Sequence, residues 1–175
     1  MEEEKYTRMV QTYLDMVYRF ALCYTKSQQD ANDVVQEVFL KLYTLNPEFS
    51  DAEHERRWLL HVTSNLSKNY LNVFWNKNTK GLGSDEEQYS EIKSVEETQP
   101  EENYIGKERR KKVFDAVMSL APKYRVCIYM YYFEEYSTVD ISKILSVNTS
   151  TIRSRLKRAR KLLNEMLKEW YDEQI

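Results

Sequence analysis

Glycine and proline are scarce in this chain, with three of each in 175 residues, where roughly 5 to 7% of either is ordinary. So little turn material excludes a sandwich or barrel of many short strands and favours long uninterrupted helices. Cysteine occurs only at Cys23 and Cys127, far apart in periodic segments. That spacing excludes a disulfide framework and reads as two buried free thiols in a cytosolic protein. His54 and His61 have no Cys or His neighbour at metal-ligand spacing, so no metal and no other cofactor is expected. No run approaches the roughly 18 consecutive apolar residues of a membrane span. The opening Met1-Glu2-Glu3-Glu4-Lys5 is acidic and leads into no apolar core, unlike a signal peptide. Nucleophile–base pairs and phosphate-cradling glycine loops are missing too, so the chain is not expected to be an enzyme.

What the chain has is charge, tyrosine and helical periodicity. Hydrophobic residues make up 42% and charged residues 31%, the balance of a globular protein. The fourteen tyrosines suit core edges, where the ring packs and the hydroxyl stays wet. A net charge of -2 hides an asymmetry. Residues 1–75 carry 8 basic and 11 acidic side chains, residues 76–104 carry 3 and 8, and residues 105–175 carry 15 and 9. The basic C-terminal third points to a polyanion partner.

Apolar residues recur at helical spacing at Met9, Val10, Tyr13, Val17, Phe20 and Tyr24, predicting a first helix over about 6–26. A second begins near Asp30, placed to cap it, and buries Ala31, Val34, Val35, Val38, Phe39, Leu42 and Leu45 before Asn46-Pro47 ends it. A third, over about 55–75, turns Trp58, Leu59, Val62, Leu66, Tyr70 and Val73 inward. Periodicity is then lost over 76–104, an acidic stretch that reads as a flexible linker kept extended by like charges. Four further helices are expected over 106–120, 123–133, 139–145 and 149–170. The fold class is therefore all-α: an N-terminal three- to four-helix bundle (1–75), the linker (76–104) and a C-terminal four-helix domain (105–175).

Residues 137–152 have the spacing of a helix-turn-helix. Ile141, Leu145, Val147 and Ile152 make its small core, Ser142 is the small residue at the close approach, and Asn148 caps the second helix. That helix buries Ile152, Leu156, Ala159 and Leu163, and no acid occurs between Thr149 and Asn164. Thr149, Ser150, Thr151 and Ser154 are short and polar at its N-terminal end, suited to base edges. Arg153, Arg155, Lys157 and Arg158 suit phosphates or guanine.

Leu120-Ala121-Pro122-Lys123-Tyr124-Arg125-Val126, followed by residues 137–163, resembles the promoter-reading domain of sigma factors. Residues 30–41, from Asp30 to Lys41, resemble the polymerase-binding helix of the same family. Arg57-Trp58-Leu59, Asn65-Leu66 and Tyr70-Leu71 resemble the helix after it. Two motifs in the right order cover nearly everything except the linker. The chain shows none of the extra domains of housekeeping sigma factors, so the resemblance is to the extracytoplasmic-function (ECF) type of the sigma-70 family.

The resemblance implies a cytoplasmic alternative sigma factor whose partners are core RNA polymerase and promoter DNA. It further implies polymerase contact through Asp30, Asp33, Val34, Gln36, Glu37 and Lys41, and capture of the melted strand by Arg56, Arg57, Asn65, Lys68 and Asn69, with the loop 49–54 beside them. Upstream duplex would be read by Thr149, Ser150, Thr151, Arg153, Ser154, Arg155, Lys157 and Arg158. Members are often held inactive by a membrane-anchored anti-sigma factor, although no residue here marks one. Two departures stand out. Ser146 occupies a turn where glycine is common, and Ser64, Asn72 and Val73 fall where many relatives are basic. Two alternatives are a polymerase-independent helix-turn-helix regulator, which the match at 30–41 disfavours, and an anti-sigma-binding adaptor, which the basic helix disfavours.

Overall fold

The computed structural model describes residues 1–78 and 104–172. The segment expected to be a linker lies almost wholly outside the described residues. Among those residues the secondary structure is entirely helical, in the order α1 (Glu3–Thr25), α2 (Gln28–Leu45), α3 (Ala52–Asn78), α4 (Tyr104–Ser119), α5 (Pro122–Ile128), a π-helical turn (Tyr129–Phe133), α6 (Thr138–Leu145) and α7 (Thr149–Asp172).

Helices α1–α3 pack around a core that the 3.6-residue period selects. Met9, Tyr13, Val17 and Ala21 of α1 meet Ala31, Val34, Val38 and Leu42 of α2 and Leu59 and Leu66 of α3. Ser27, not Asp30, caps α2: its side chain accepts from the Asp30 amide at 3.2 Å. Asp30 therefore lies one turn inside the helix, where its carboxylate still favours the positive end of the dipole. Leu45 was expected inside but is 66% exposed, because the helix ends one residue later at Asn46, whose backbone is left-handed (φ 43°). Helix α3 starts earlier than expected, so residues 52–54 of the anticipated loop are helical. Phe49, just before them, packs edge-on to Trp58.

Helices α4–α7 enclose a second core of Val117, Leu120, Val126, Ile128, Met130, Ile141, Ile144, Leu145, Ile152, Leu156 and Ala159. Pro122 occupies the first turn of α5, where its missing N–H costs nothing. Beyond Ile128 the helix widens. The Glu134 amide donates to Tyr129 O at 3.2 Å, a five-residue span. A π turn inserts one extra residue and rotates those after it. Tyr131, Tyr132 and Phe133 consequently end up 36%, 53% and 64% exposed.

The two helical groups do not stand apart. Phe20, Cys23, Tyr24 and Leu60 belong to the same buried cluster as the C-terminal core. Helix α3 accordingly has two packed faces. One holds Leu59, Val62 and Leu66 against α1 and α2. The other places Leu60, Ser64 and Ser67, all fully buried, on the side of the C-terminal group, with the Ser64 hydroxyl bonded to Tyr24 at 2.7 Å.

Candidate nucleic-acid and polymerase interfaces

The helix-turn-helix is assembled from short local bonds. Ser137 caps α6 by accepting from the Asp140 amide at 3.1 Å and donates to the Asp140 carboxylate at 2.6 Å. Ser146 adopts the left-handed conformation (φ 54°, ψ 47°) that turns the chain. Thr149 Oγ1 donates to Ser142 Oγ at 3.1 Å, so the small residue at the close approach becomes a bond between the helices. Ile141, Ile152 and Leu156 then fix the angle, each at most 1% exposed.

With those residues inside, periodicity decides what faces out. Ser150, Arg153, Ser154, Lys157 and Arg158 are exposed, while Thr149 and Thr151 are half-buried. Arg153, Lys157 and Arg158 have no hydrogen-bond or ion-pair partner among the described residues. Arg155 differs: it is half-buried, and its charge helps push the Lys68 ammonium of α3 below its usual value, after burial itself. Arg160 also lies off the outward face, donating to Tyr132 Oη at 2.8 Å and stacking on Tyr131 and Tyr132.

The residues assigned to strand capture are brought together on α3, but four of the five are tied up. Arg56 pairs with Glu134 and lies over the Tyr136 ring at 5.3 Å. Arg57 bridges Glu53 of its own helix and Asp140 of α6, at 2.8 and 3.1 Å. Lys68 donates to the Leu145 carbonyl at 3.1 Å. His61 Nδ1 lies 2.8 Å from the Ile144 carbonyl, so that nitrogen carries the proton, and Nε2 accepts from Asn65 at 3.0 Å. Asn69 remains exposed.

On α2, Asp33, Gln36 and Glu37 are exposed and Asp30 and Lys41 half-buried. Tyr70 donates to Asp33 at 2.9 Å, which ties that carboxylate to α3. Val34 is 1% exposed; it supports this face from beneath and has no surface to offer a partner. Beside the polar residues on the same helix lie Leu40 (60% exposed) and Tyr43 (50%). Sequence reasoning passed over these apolar residues because it looked for a polar face. Single exposed apolar side chains are ordinary, but several together mark a protein contact.

The largest omission is Arg125, whose side chain is fully buried. Its Nε donates to the Cys23 carbonyl and its Nη2 to Tyr24 O at 3.3 Å, while Nη1 donates to Met118 O at 2.7 Å and Leu120 O at 2.9 Å. Cys23 and Tyr24 close α1, and Met118 and Leu120 close α4. One guanidinium thus satisfies the free carbonyls, and faces the negative dipole ends, of two helices at once.

Among the described residues no helix is long and apolar enough to cross a membrane. Residues 9–73 match the family model for sigma-70 region 2, and residues 110–163 match that for sigma-70 region 4. The chain is 26% identical over 179 residues to the ECF RNA polymerase sigma factor SigW of Bacillus subtilis, covering 96% of this chain and 91% of that protein. It is 30% identical over 139 residues to the ECF RNA polymerase sigma-E factor of Escherichia coli K12, covering 77% and 72%. Its fold is similar to that of the sigma factor RpoE crystallised with the anti-sigma factor NepR from Bartonella quintana. That match has a TM-score of 0.74 at 20% identity and covers 94% of this chain and 98% of that one. With both regions matched in order and a family relative at 30% identity over most of its length, the chain belongs to the ECF RNA polymerase sigma factors of the sigma-70 family, regulatory subunits that direct transcription initiation.

Proposed function

We propose that the work is divided among three faces of the chain. The outer face of α2, with Asp30, Asp33, Gln36, Glu37 and Lys41, docks on core RNA polymerase, and Leu40 and Tyr43 supply the apolar part of that contact. Arg56, Arg57, Asn65, Lys68 and Asn69 of α3 capture the melted promoter strand, since unstacked bases and their phosphates are held by cations and polar side chains. The outward face of α7, with Ser150, Arg153, Ser154, Lys157 and Arg158, reads upstream duplex in the major groove. On this reading residues 1–75 and 105–175 are separate functional domains, with 76–104 spanning between them. The chain works in the cytoplasm and leaves catalysis to the polymerase. An anti-sigma factor is a further partner of the same surfaces.

The observation that carries the reading is the contrast between the α2 and α7 faces. One is acidic with exposed apolar residues, suited to protein; the other is acid-free and basic from Thr149 to Asn164, suited to DNA. Holoenzyme assembly tests it. Asp33→Ala/Glu37→Ala should weaken co-purification with core polymerase and leave duplex binding by the free chain intact. Arg153→Ala/Arg158→Ala should do the reverse. If either double variant loses both activities while remaining folded, the division of roles is wrong.

A further inference from the structure

Ser142 is bonded on both sides of the turn that joins α6 to α7. Its carbonyl accepts from the Val147 amide at 3.0 Å. Its hydroxyl donates to the Val139 carbonyl at 2.7 Å and accepts from Thr149 Oγ1 at 3.1 Å. A hydroxyl carries a single proton. Ser142 gives its own to Val139, so the proton shared with Thr149 is the one on Thr149. That leaves Thr149, which opens α7 and is half-buried, able only to accept. Phosphate oxygens accept only, as do guanine O6, purine N7 and thymine O4 in the major groove. By type and position Thr149 resembles Ser150 and Ser154, but its bonding separates it from them.

We infer that Thr149 is a positioning residue for duplex reading: through Ser142 it holds the first turn of α7 against α6 and sets the direction in which Ser150, Arg153 and Ser154 leave the helix. This role rests on the assignment of the outward face of α7 to duplex. Ile141, Ile152 and Leu156 press the two helices together, but apolar contact has no direction, so a small rotation of α7 about its own axis costs it little. The hydroxyl relay is directional and resists that rotation. A rotation of about 20° moves a side-chain tip roughly 5 Å from the axis by nearly 2 Å, enough to break a bond to a base edge. Long arginines can follow a phosphate through such a shift, whereas a serine has no reach to spare. Without the relay the first turn of α7 must be ordered when DNA binds, which weakens the contacts that discriminate sequence. Contacts to phosphate, which carry no sequence information, are left much as they were.

Holoenzyme assembled with the full-length chain is tested on two duplexes. One is enriched by wild-type holoenzyme from a randomised library, and the other is the same duplex with its upstream element shuffled. Thr149→Val keeps the shape and removes the hydroxyl. It should lower the ratio of the two affinities roughly three- to fivefold, the scale of one net hydrogen bond, with the shuffled duplex bound as before. Ser142→Ala should do the same, and the double variant no more, because both remove one bond. Thr149→Ser, which keeps the hydroxyl, should restore most of the ratio. A residue that merely supported the fold would weaken both duplexes together.

An unchanged ratio for Thr149→Val would overturn the role. Equal weakening on both duplexes would do so too, by making Thr149 a phosphate contact or a support of the fold. A loss in Thr149→Val but not in Ser142→Ala would mean that Thr149 touches a base itself. A double variant worse than either single one would mean that the two hydroxyls act separately. Arg153→Ala/Arg158→Ala tells these failures from that of the underlying assignment. If that holoenzyme holds both duplexes as wild type does, α7 is not the reading face and the positioning role falls with it. If it loses both while Thr149→Val changes nothing, the positioning role alone fails.

Discussion

Helices α3 and α7 both carry cations suited to nucleic acid, yet their surroundings differ. On α7 the core residues Ile152, Leu156 and Ala159 leave Arg153, Lys157 and Arg158 facing out, so periodicity alone makes them available. On α3 the cations stand over a second packed face, and Arg56, Arg57 and Lys68 are spent on Glu134, Asp140 and Leu145. The difference teaches that counting basic residues on a helix does not measure a nucleic-acid site. What matters is whether the opposite wall of the fold already satisfies them. One helix leaves its cations exposed, and the other pairs them within the fold.

The largest effect expected from disturbing this comparison is at Arg125. Its donors reach four carbonyls inside the fold, and truncating a buried charged donor leaves acceptors unsatisfied. Arg125→Met should cost about 3 kcal/mol in urea unfolding. Lys68→Met, on the other side of the seam between the two helical groups, should cost well under about 1 kcal/mol, because burial already penalises that ammonium and its removal relieves as well as deletes. Equal losses at the two positions would mean that the seam does not depend on the helix-end capping described above.

Next in size is the split within α7 itself. Arg153→Ala/Arg158→Ala should weaken duplex binding roughly tenfold near 0.1 M salt and reduce the slope of log affinity against log salt by about 2, one phosphate for each cation removed. Arg155→Ala should leave that slope nearly unchanged, since the side chain is half-buried and its charge acts on Lys68 of α3. A slope for Arg155→Ala as shallow as for Arg153→Ala would put Arg155 back on the DNA face.

Much of this arrangement is legible in the sequence, and its gaps have physical causes. Long helices, the two cores and the helix-turn-helix follow from a 3.6-residue apolar period with almost no glycine or proline to interrupt it. The cap of α2 was misplaced because Ser27 and Asp30 are both good capping residues and one turn apart. The outward turn of Tyr131, Tyr132 and Phe133 has no mark in the sequence, because a π turn shifts the register by one residue without a compositional signal. The exposure of Arg153, Lys157 and Arg158 on α7 was legible from periodicity, whereas the half-burial of Arg155 was not, because a helix wheel cannot say what the neighbouring helix offers. The seam was the least legible feature. Ser64 and Ser67 look like solvent-facing residues until another helix group packs over them, and Arg125 looks like one more surface cation.

A smaller effect belongs to Glu55, which anchors α3 from the N-terminal side and serves as a control for the seam. It accepts from Arg8 at 2.6 Å and from Tyr13 at 3.0 Å. Burial opposes its charge, but these two donors outweigh that and hold its carboxyl below the ordinary glutamate value. With a depressed folded value, its contribution is complete above the unfolded value of about 4.3 and is lost as pH falls through the folded one. Glu55→Gln should therefore cost about 1 kcal/mol near neutral pH and flatten the acid limb of a stability profile.

The smallest effect is at the turn of the helix-turn-helix, where Ser146 holds a left-handed backbone at φ 54°. A side chain there crowds its own carbonyl, at a cost of order 1 kcal/mol relative to glycine, partly offset because glycine loses more freedom on folding. Ser146→Gly should therefore stabilise the chain by a few tenths of a kcal/mol, read as a rise in thermal midpoint of about 1 °C. Duplex affinity should not change, because the geometry of α7 is set by Ile141, Ile152, Leu156 and the Thr149–Ser142 bond, none of which the substitution touches. A loss of affinity with a gain in stability would show that the turn is tuned for α7 to adjust on DNA. The exposed cations of α7 would then depend on their surroundings too, and the contrast with α3 would be one of degree.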